Sequence, residues 1–262
     1  VLPDQRGCGR SGRVSGKAIE ALGERAAAVG ADTARAQADL LKRYLASSIV
    51  RDFEYLRLTQ FGGKRWVSLG QSYGGFLTLT YLSLFPAGLA ACFTCGGIPH
   101  VPASAAEVYA HTFPRMAAKT RQYYDRYPQD VERVAALADA LTATPTTLPD
   151  GSPMTVERLQ LFGSDFGMKP SFERMHWIMD HAFEGADGTL GSTEPIISDG
   201  FLTSALARTT TATNPLYWTL QEFIYADGDT MPIRWAAAEE KARRAEFDPA
   251  ARPLMLTGEA AF

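Results

Sequence analysis

Two short apolar runs in the first hundred residues predict strands that alternate with helices. Residues 66–69 form the first run, and residues 89–95 form a continuous apolar run that is typical of a strand buried on both faces. Residues 76–85 between them are compatible with a helix, and residues 47–57 place their apolar side chains on one helical face. This order of strands and helices predicts a parallel sheet flanked by helices, which is an α/β architecture.

A different pattern begins after residue 100, where strand patterns disappear. The segments predicted as helical in this part are residues 103–141, 155–162, 172–183, 201–207, 216–225 and 233–247. Residues 252–258 then return to a strand pattern. We therefore predict an N-terminal part of the core at 1–100, a helical cap or lid at 101–250, and a return to the core sheet at 251–262.

The junction between the first strand and the following helix has the spacing Gly70-x-Ser72-x-Gly74. A serine on so sharp a turn projects its hydroxyl oxygen above the sheet edge, where it can act as a nucleophile. The two glycines are expected to remove Cβ atoms that would clash with the adjoining strand and helix. The backbone N–H of Tyr73 would then point to where an oxyanion forms. The alternative is an ordinary glycine-rich turn.

Composition and charge argue against several classes of function. The 262 residues carry a net charge of -3, which gives no reason to expect a nucleic-acid partner. No apolar run approaches the roughly 20 residues that span a membrane, so no membrane partner is expected. The three cysteines, Cys8, Cys92 and Cys95, are too few for a disulfide framework and fit a reducing cytoplasm.

Two short spacings match binding motifs but are given structural interpretations. Residues 92–95 have the C-x-x-C spacing of redox and zinc sites, but no second pair exists, and we interpret both cysteines as buried structural thiols. Residues 7–12 have the glycine spacing of a dinucleotide fingerprint, but no clear helix follows them. We interpret this stretch as a tight loop held by a network between Asp4 and Arg6.

Several motifs spread over nearly the whole chain form a recognisable set. They are DQRG-x-GRS at 4–11, SIVRD at 48–52, GQSYGGF at 70–76, GGIP at 96–99, RYPQD at 126–130, FGM at 166–168, NPLY at 214–217 with Glu222, and LTGE at 256–259. This set resembles the prolyl aminopeptidase (proline iminopeptidase) family of α/β-hydrolases, and it looks most like the bacterial branch with the larger lid. The first and third motifs carry most of the resemblance.

The resemblance implies an α/β-hydrolase fold, a mainly parallel sheet flanked by helices, with a large helical lid inserted. It implies a serine hydrolase that releases an N-terminal residue, preferably proline, from peptides with a free N-terminus through an acyl-enzyme on Ser72. By the same resemblance, Tyr73 donates its backbone N–H to the oxyanion, and Glu222 in the lid faces the substrate α-amino group. The other interpretation of Glu222 is a solvated helix face. No cofactor or metal is implied.

The resemblance also leads us to expect that both ends of the core are truncated. The family's triad acid and histidine are expected after Phe262, and the loop with its other oxyanion donor is expected before Val1. None of the four histidines is taken as the catalytic base. His100 follows a predicted strand, and the lid histidines are interpreted as surface or packing residues: His111, His176 and His181. We therefore expect the fragment alone to be inactive.

Two other functions fit the same residues. A lidded esterase or amidase of the same fold would use Ser72 as its nucleophile but would have no use for a carboxylate that binds an amine. A catalytically inactive α/β-hydrolase-like binding protein would keep the fold without turnover. Labelling of Ser72 by a fluorophosphonate would argue against the binding protein, and substrates with and without a free amine would separate the two enzymes.

Overall fold

The computed structural model of the protein describes residues 1–98, 101–102, 104–185, 196–226 and 232–260. The chain forms two compact units. The first unit comprises Val1–Ala105 and Thr211–Ile233, and the second comprises Ala106–Thr210 and Arg234–Phe262. The interpretation of His100 falls outside the described residues.

The helices of the described residues are distributed along the whole chain. They are α1 (Gly16–Ala28), α2 (Thr33–Leu41), α3 (Ala46–Gln60), α4 (Tyr73–Leu84), α5 (Ala105–Arg126), α6 (Gln129–Ala143), α7 (Val156–Gln160), α8 (Phe172–Asp180), α9 (Asp199–Thr209), α10 (Pro215–Leu220) and α11 (Ala236–Ala242). The strands are β1 (Trp66–Gln71), β2 (Leu89–Cys95), β3 (Thr146–Thr147), β4 (Pro153–Met154), β5 (Phe183–Glu184) and β6 (Ile196–Ile197). Among these helices, none is both long and apolar enough to cross a lipid bilayer.

The first unit is built on a parallel pair of strands. β1 and β2 pair in parallel, with Leu69 opposite Phe93. Helix α4 packs on both strands, and α3 packs on α4. Val50 of α3, Tyr81 of α4 and Leu89 of β2 form a buried apolar cluster between these elements. The parallel strands with helices beside them confirm the predicted α/β class.

The strand pair is covered on one face only in the described part of the chain. Val67, Leu69 and Phe93 are 64%, 74% and 56% exposed. Successive side chains of a strand point to opposite faces, so α4 covers every second position and leaves these three uncovered. The prediction that residues 89–95 form a strand buried on both faces is therefore wrong.

The second unit is helical and surrounds a large apolar core. Residues from several of its helices are fully or almost fully buried in this core, among them Tyr123, Leu137, Leu159, Met175 and Phe201. The short strands β3 and β4, and likewise β5 and β6, form antiparallel pairs within this unit. The predicted lid at 101–250 stays a prediction, and the structure groups residues 211–233 with the first unit.

A buried carboxylate joins three helices of the second unit. Asp130 of α6 is 0% exposed and accepts a hydrogen bond of 2.5 Å from the hydroxyl of Tyr123 on α5. Its Oδ2 atom also lies 2.9 Å from Nδ1 of His176 on α8, and Arg133 donates to Oδ1 at 2.9 Å. The ring of Tyr127 stacks on His176 with centroids 4.1 Å apart. His176 therefore has the packing role that was expected for it.

Residues 254–257 are buried in the second unit without a strand partner among the described residues. The hydroxyl of Tyr124 donates to the carbonyl oxygen of Leu254 at 2.7 Å. The backbone N–H of Thr257 donates to the carbonyl oxygen of Gln160 at 2.8 Å. These contacts anchor the segment to helices, and its predicted return to the core sheet at 251–262 stays a prediction.

Candidate active site

Ser72 joins β1 to α4 in a backbone conformation that serine rarely adopts. Its φ is 52° and its ψ is -122°, in a region that favours glycine. Its backbone N–H donates to the carbonyl oxygen of Cys95 at 2.8 Å, and its own carbonyl oxygen accepts from the N–H of Gly75 at 2.8 Å. The two strands and the helix therefore hold the strained residue in place. Backbone strain of this kind concentrates at functional sites.

Three glycines make room for this turn. A Cβ atom on Gly70 would lie 1.9 Å from the carbonyl oxygen of Gly74, and one on Gly97 would lie 1.9 Å from the carbonyl oxygen of Ser72. A Cβ atom on Gly75 would lie 2.5 Å from the carbonyl oxygen of Gly97. Backbone atoms packed this closely exclude any side chain, so all three positions require glycine.

The predicted reason for Gly74 is wrong. Apart from its chain neighbours and the backbone of its own helix, no described atom lies within 4 Å of a Cβ built on Gly74, so this glycine is not required by a clash. The close approaches occur instead at Gly75 and at Gly97, which follows β2. The reasoning from sequence missed Gly97 because the contact joins two segments far apart along the chain, although Gly97 belongs to the GGIP motif.

The hydroxyl group of Ser72 does not cap helix α4. Ser72 is exposed and occupies the N-cap position of α4, but it makes no side-chain capping bond. A serine at this position normally accepts a hydrogen bond from the first helical turn. The N–H groups of Tyr73 and Gly74, which begin α4, have no acceptor within the helix because no helical turn precedes them. Together with the positive end of the helix dipole, they favour a negative charge beside Ser72.

The phenol of Tyr73 is half-buried and stays neutral near neutral pH. Burial, followed by the nearby thiol of Cys8, raises the pKa of Tyr73 to about 12. The phenol therefore carries no charge that could stabilise or repel an anion at the turn. The role predicted for Tyr73 rests on its backbone N–H alone.

The glycine-rich loop near the start of the chain is held by a different ion pair from the one predicted. Arg6 donates from Nε to Oδ2 of Asp52 on α3 at 2.6 Å and from Nη2 to Oδ1 of the same carboxylate. Asp4 instead accepts a hydrogen bond of 2.9 Å from the backbone N–H of Arg10. The predicted network between Asp4 and Arg6 is therefore wrong. The sequence did not indicate Asp52 as the partner of Arg6, because the two residues are far apart along the chain, although Asp52 belongs to the SIVRD motif.

Glu222 is 1% exposed and lies in the short 3-10 turn that follows α10. The interpretation as a solvated helix face is therefore wrong. Glu222 belongs to the same unit as Ser72. In that unit the ring of Tyr225 contacts the ring of Phe76 on α4, with centroids 6.1 Å apart. The segment that carries Glu222 thus packs on the helix that begins beside Ser72.

Comparison with known proteins identifies the family of this chain. The alpha/beta hydrolase fold family matches residues 1–160. The chain belongs to this α/β-hydrolase family. The α/β-hydrolase fold that the motifs indicated is thereby confirmed.

Two curated relatives of this α/β-hydrolase are proline iminopeptidases. The one from Aeromonas sobria is 35% identical over 266 residues, which cover 100% of this chain and 57% of the relative. The one from Aspergillus aculeatus is 29% identical over 268 residues, which cover 99% of this chain and 55% of the relative. The chain therefore spans a little over half the length of these two relatives.

Aromatic side chains flank Glu222 in this hydrolase. The rings of Tyr217 and Trp218 meet edge to face with centroids 5.3 Å apart. Tyr217 and Phe223 are 37% and 45% exposed. Exposed aromatic rings on the segment that carries a buried carboxylate are suited to contact the apolar part of a ligand.

The cysteines of the C-x-x-C spacing lie on β2 rather than at a helix start. Cys92 is half-buried, Cys95 is exposed, and neither forms a disulfide. The prediction of buried thiols is therefore wrong for Cys95. Within the described ranges, no group of three or more His, Cys, Asp or Glu side chains is arranged to hold a metal ion.

Proposed function

We propose that the complete α/β-hydrolase is a serine aminopeptidase that releases an N-terminal residue, preferably proline, from peptides. The observation that carries the proposal is the presence, in one unit, of the strained Ser72 at the start of α4 and the buried Glu222 on a segment that packs on α4. The names of the two relatives support the same substrate class. We also propose a cytoplasmic location, which the small number of cysteines predicts.

In the proposed reaction, Oγ of Ser72 attacks the carbonyl carbon of the first peptide bond while its proton passes to a general base. The backbone N–H of Tyr73 donates to the oxyanion of the tetrahedral intermediate. The C–N bond then breaks, the leaving amine takes the proton, and an ester on Ser72 remains until water hydrolyses it. A histidine and an acid of the complete protein, which the resemblance implies, would serve as the base and its partner.

Glu222 would bind the free α-amino group of the substrate. An ammonium group that enters a partly dry pocket loses hydration and needs a counter-charge. A hydrogen bond between ionised groups contributes about 1.5–3 kcal/mol. A neutral ester would gain nothing from this carboxylate, so a buried Glu222 favours the aminopeptidase over the esterase.

The proposal is tested by hydrolysis of proline arylamide beside its N-acetylated form, using the complete protein. We expect the free-amine compound to be cleaved roughly 10- to 100-fold more efficiently, since only it gains the charge-assisted contact with Glu222. Equal cleavage of both compounds would support the general amidase or esterase. Absence of cleavage, with Ser72 also unlabelled by a fluorophosphonate, would support the binding protein.

Glu222→Gln is expected to lower kcat/KM for the free-amine arylamide by roughly 10- to 100-fold, because the neutral amide keeps the shape but loses the charge-assisted bond. Hydrolysis of a neutral ester by the same variant should change by less than about threefold. Glu24→Gln is the matched control, since Glu24 is an exposed glutamate of the same unit. An equal loss on both substrates would contradict a role in binding the amine.

Tyr73→Phe is expected to change kcat/KM by less than about threefold, because the proposed oxyanion donor is the backbone N–H and the phenol is neutral. The aromatic ring stays in place, so the half-buried site keeps its packing. Steady-state kinetics of the variant on proline arylamide provide the measurement. A loss of more than about 30-fold would show that the hydroxyl group itself takes part in the reaction.

A further inference from the structure

We propose that the loop of residues 4–14 positions the amine-binding side of the candidate site, and that Arg6 and Asp52 are the positioning residues that hold this loop. The inference rests on the proposed function. It gives a role to the DQRG-x-GRS and SIVRD motifs, which contain neither the proposed nucleophile nor the proposed oxyanion donor.

The loop is attached to α3 through Arg6. The guanidinium of Arg6 forms two hydrogen bonds with the carboxylate of Asp52 and donates a third, from Nη1, to the carbonyl oxygen of Arg43 at 2.9 Å. The hydrogen bonds with Asp52 raise the pKa of Arg6 above its ordinary value. A bidentate pair of this geometry fixes orientation as well as distance. Arg6 therefore fixes the position of the loop relative to α3.

On its other side the loop contacts α10 and the residues just before it. Gly7 is buried with a φ of 82°, and a Cβ on it would lie 2.6 Å from Cδ1 of Leu216 on α10 and 2.6 Å from Cδ1 of Tyr44. The loop backbone therefore packs directly on α10. Further along, Nη2 of Arg13 donates to the carbonyl oxygen of Thr213 at 2.9 Å, just before α10 begins.

Helix α10 connects the loop contacts to Glu222. Helix α10 leads directly into the turn that holds Glu222. The two contacts of the loop, at Gly7 and at Arg13, therefore set the position of the helix that precedes this carboxylate. Ser72 is held separately, by its hydrogen bonds to Cys95 and Gly75. Loosening the loop should disturb binding of the amine far more than the reactivity of the nucleophile.

Asp52→Asn is the variant that tests this inference in the complete protein. The amide keeps the size of the side chain but removes the charge that Arg6 binds. We expect KM for proline arylamide to rise about tenfold, because the pair is only partly exposed, at 34% and 39%. We expect kcat to fall by less than about threefold, and the rate of Ser72 labelling by a fluorophosphonate without an amine to stay within about twofold. Asp52→Glu, which keeps the charge, should restore most of the affinity.

Asp39→Asn is the matched control. It removes the acid of the exposed pair Arg35–Asp39 on α2 of the same unit, where the side chains are 70% and 50% exposed. We expect this control to leave KM, kcat and labelling unchanged. A parallel loss of kcat, affinity and labelling in Asp52→Asn would show general destabilisation and would overturn the inference, as would an unchanged KM.

Hydrogen exchange separates this inference from the proposed function. In Asp52→Asn, but not in Asp39→Asn, peptides covering residues 4–14 and 211–226 should exchange faster, while the peptide covering β1 should not. If the wild-type protein fails to cleave proline arylamide, the proposed function falls, and the exchange pattern still decides whether the loop positions α10. Unchanged exchange at 211–226 would overturn the inference even in an active enzyme.

Discussion

Replacing Ser72 by alanine is expected to lower kcat of the complete protein for proline arylamide by at least about 10⁴-fold. The acyl-enzyme cannot form without Oγ, and the oxyanion donors alone provide only residual catalysis. The fold should survive, because the Ser72 side chain is exposed and makes no capping bond. Alanine has the same Cβ atom at the same positive φ, so the backbone strain is nearly unchanged. Steady-state kinetics and thermal unfolding together provide the measurement.

Ser83→Ala is the control for this prediction. Ser83 lies on the same helix, is exposed, and donates to the carbonyl oxygen of Leu79 at 2.9 Å. Its loss should leave kcat within about twofold of the wild-type value. A fluorophosphonate should label the wild-type protein and Ser83→Ala but not Ser72→Ala. Turnover by Ser72→Ala above about 1% of the wild-type rate would exclude Ser72 as the nucleophile.

Gly97→Ala is expected to destabilise the protein by about 3 kcal/mol and to abolish labelling of Ser72. The added Cβ would lie 1.9 Å from the carbonyl oxygen of Ser72, a backbone atom that cannot move without opening the turn. Gly70→Ala should behave in the same way, since its Cβ would lie 1.9 Å from the carbonyl oxygen of Gly74. Denaturant unfolding measures the free energy of unfolding, and fluorophosphonate labelling reports whether the turn still presents a reactive Ser72.

Gly74→Ala is the matched control, because it changes the other glycine of the G-x-S-x-G spacing. Gly74 lies in the first turn of α4 with no described atom within 4 Å of its Cβ position. Alanine is a better helix former than glycine by up to about 1 kcal/mol, so this variant should be as stable as the wild type or slightly more stable. If Gly74→Ala proved as damaging as Gly97→Ala, the assignment of the close contacts would be wrong.

Local patterns were sufficient to predict the central elements and the candidate nucleophile. The apolar runs around Gly70 and at 89–95 predicted two strands, and both form a parallel pair. The turn at Ser72 was also predictable, because a strand, a small-residue turn and a helix are all encoded within a few neighbouring residues. The burial of one strand face and the exposure of Phe93 were not predictable, because they depend on what packs against the sheet.

Contacts between distant segments account for the remaining differences. Arg6 pairs with Asp52 rather than with Asp4, and Gly97 rather than Gly74 makes room for the turn. In both cases the local motif contained a plausible but incorrect partner, and the true partner is on another segment. No periodicity or spacing records such a contact, because it arises only after the chain has folded.

Glu222 shows the same division at the candidate site. Its place in a short helical segment and its match to the family motif could be derived from the sequence. Its burial, and its membership in the unit that holds Ser72 rather than in the helical second unit, required the folded chain. Residue type and local spacing thus specify which chemistry this α/β-hydrolase can offer. The packing of segments that are far apart in sequence determines which of those residues are buried and which lie close together. The reason is that burial depends on all the neighbours of a residue in space.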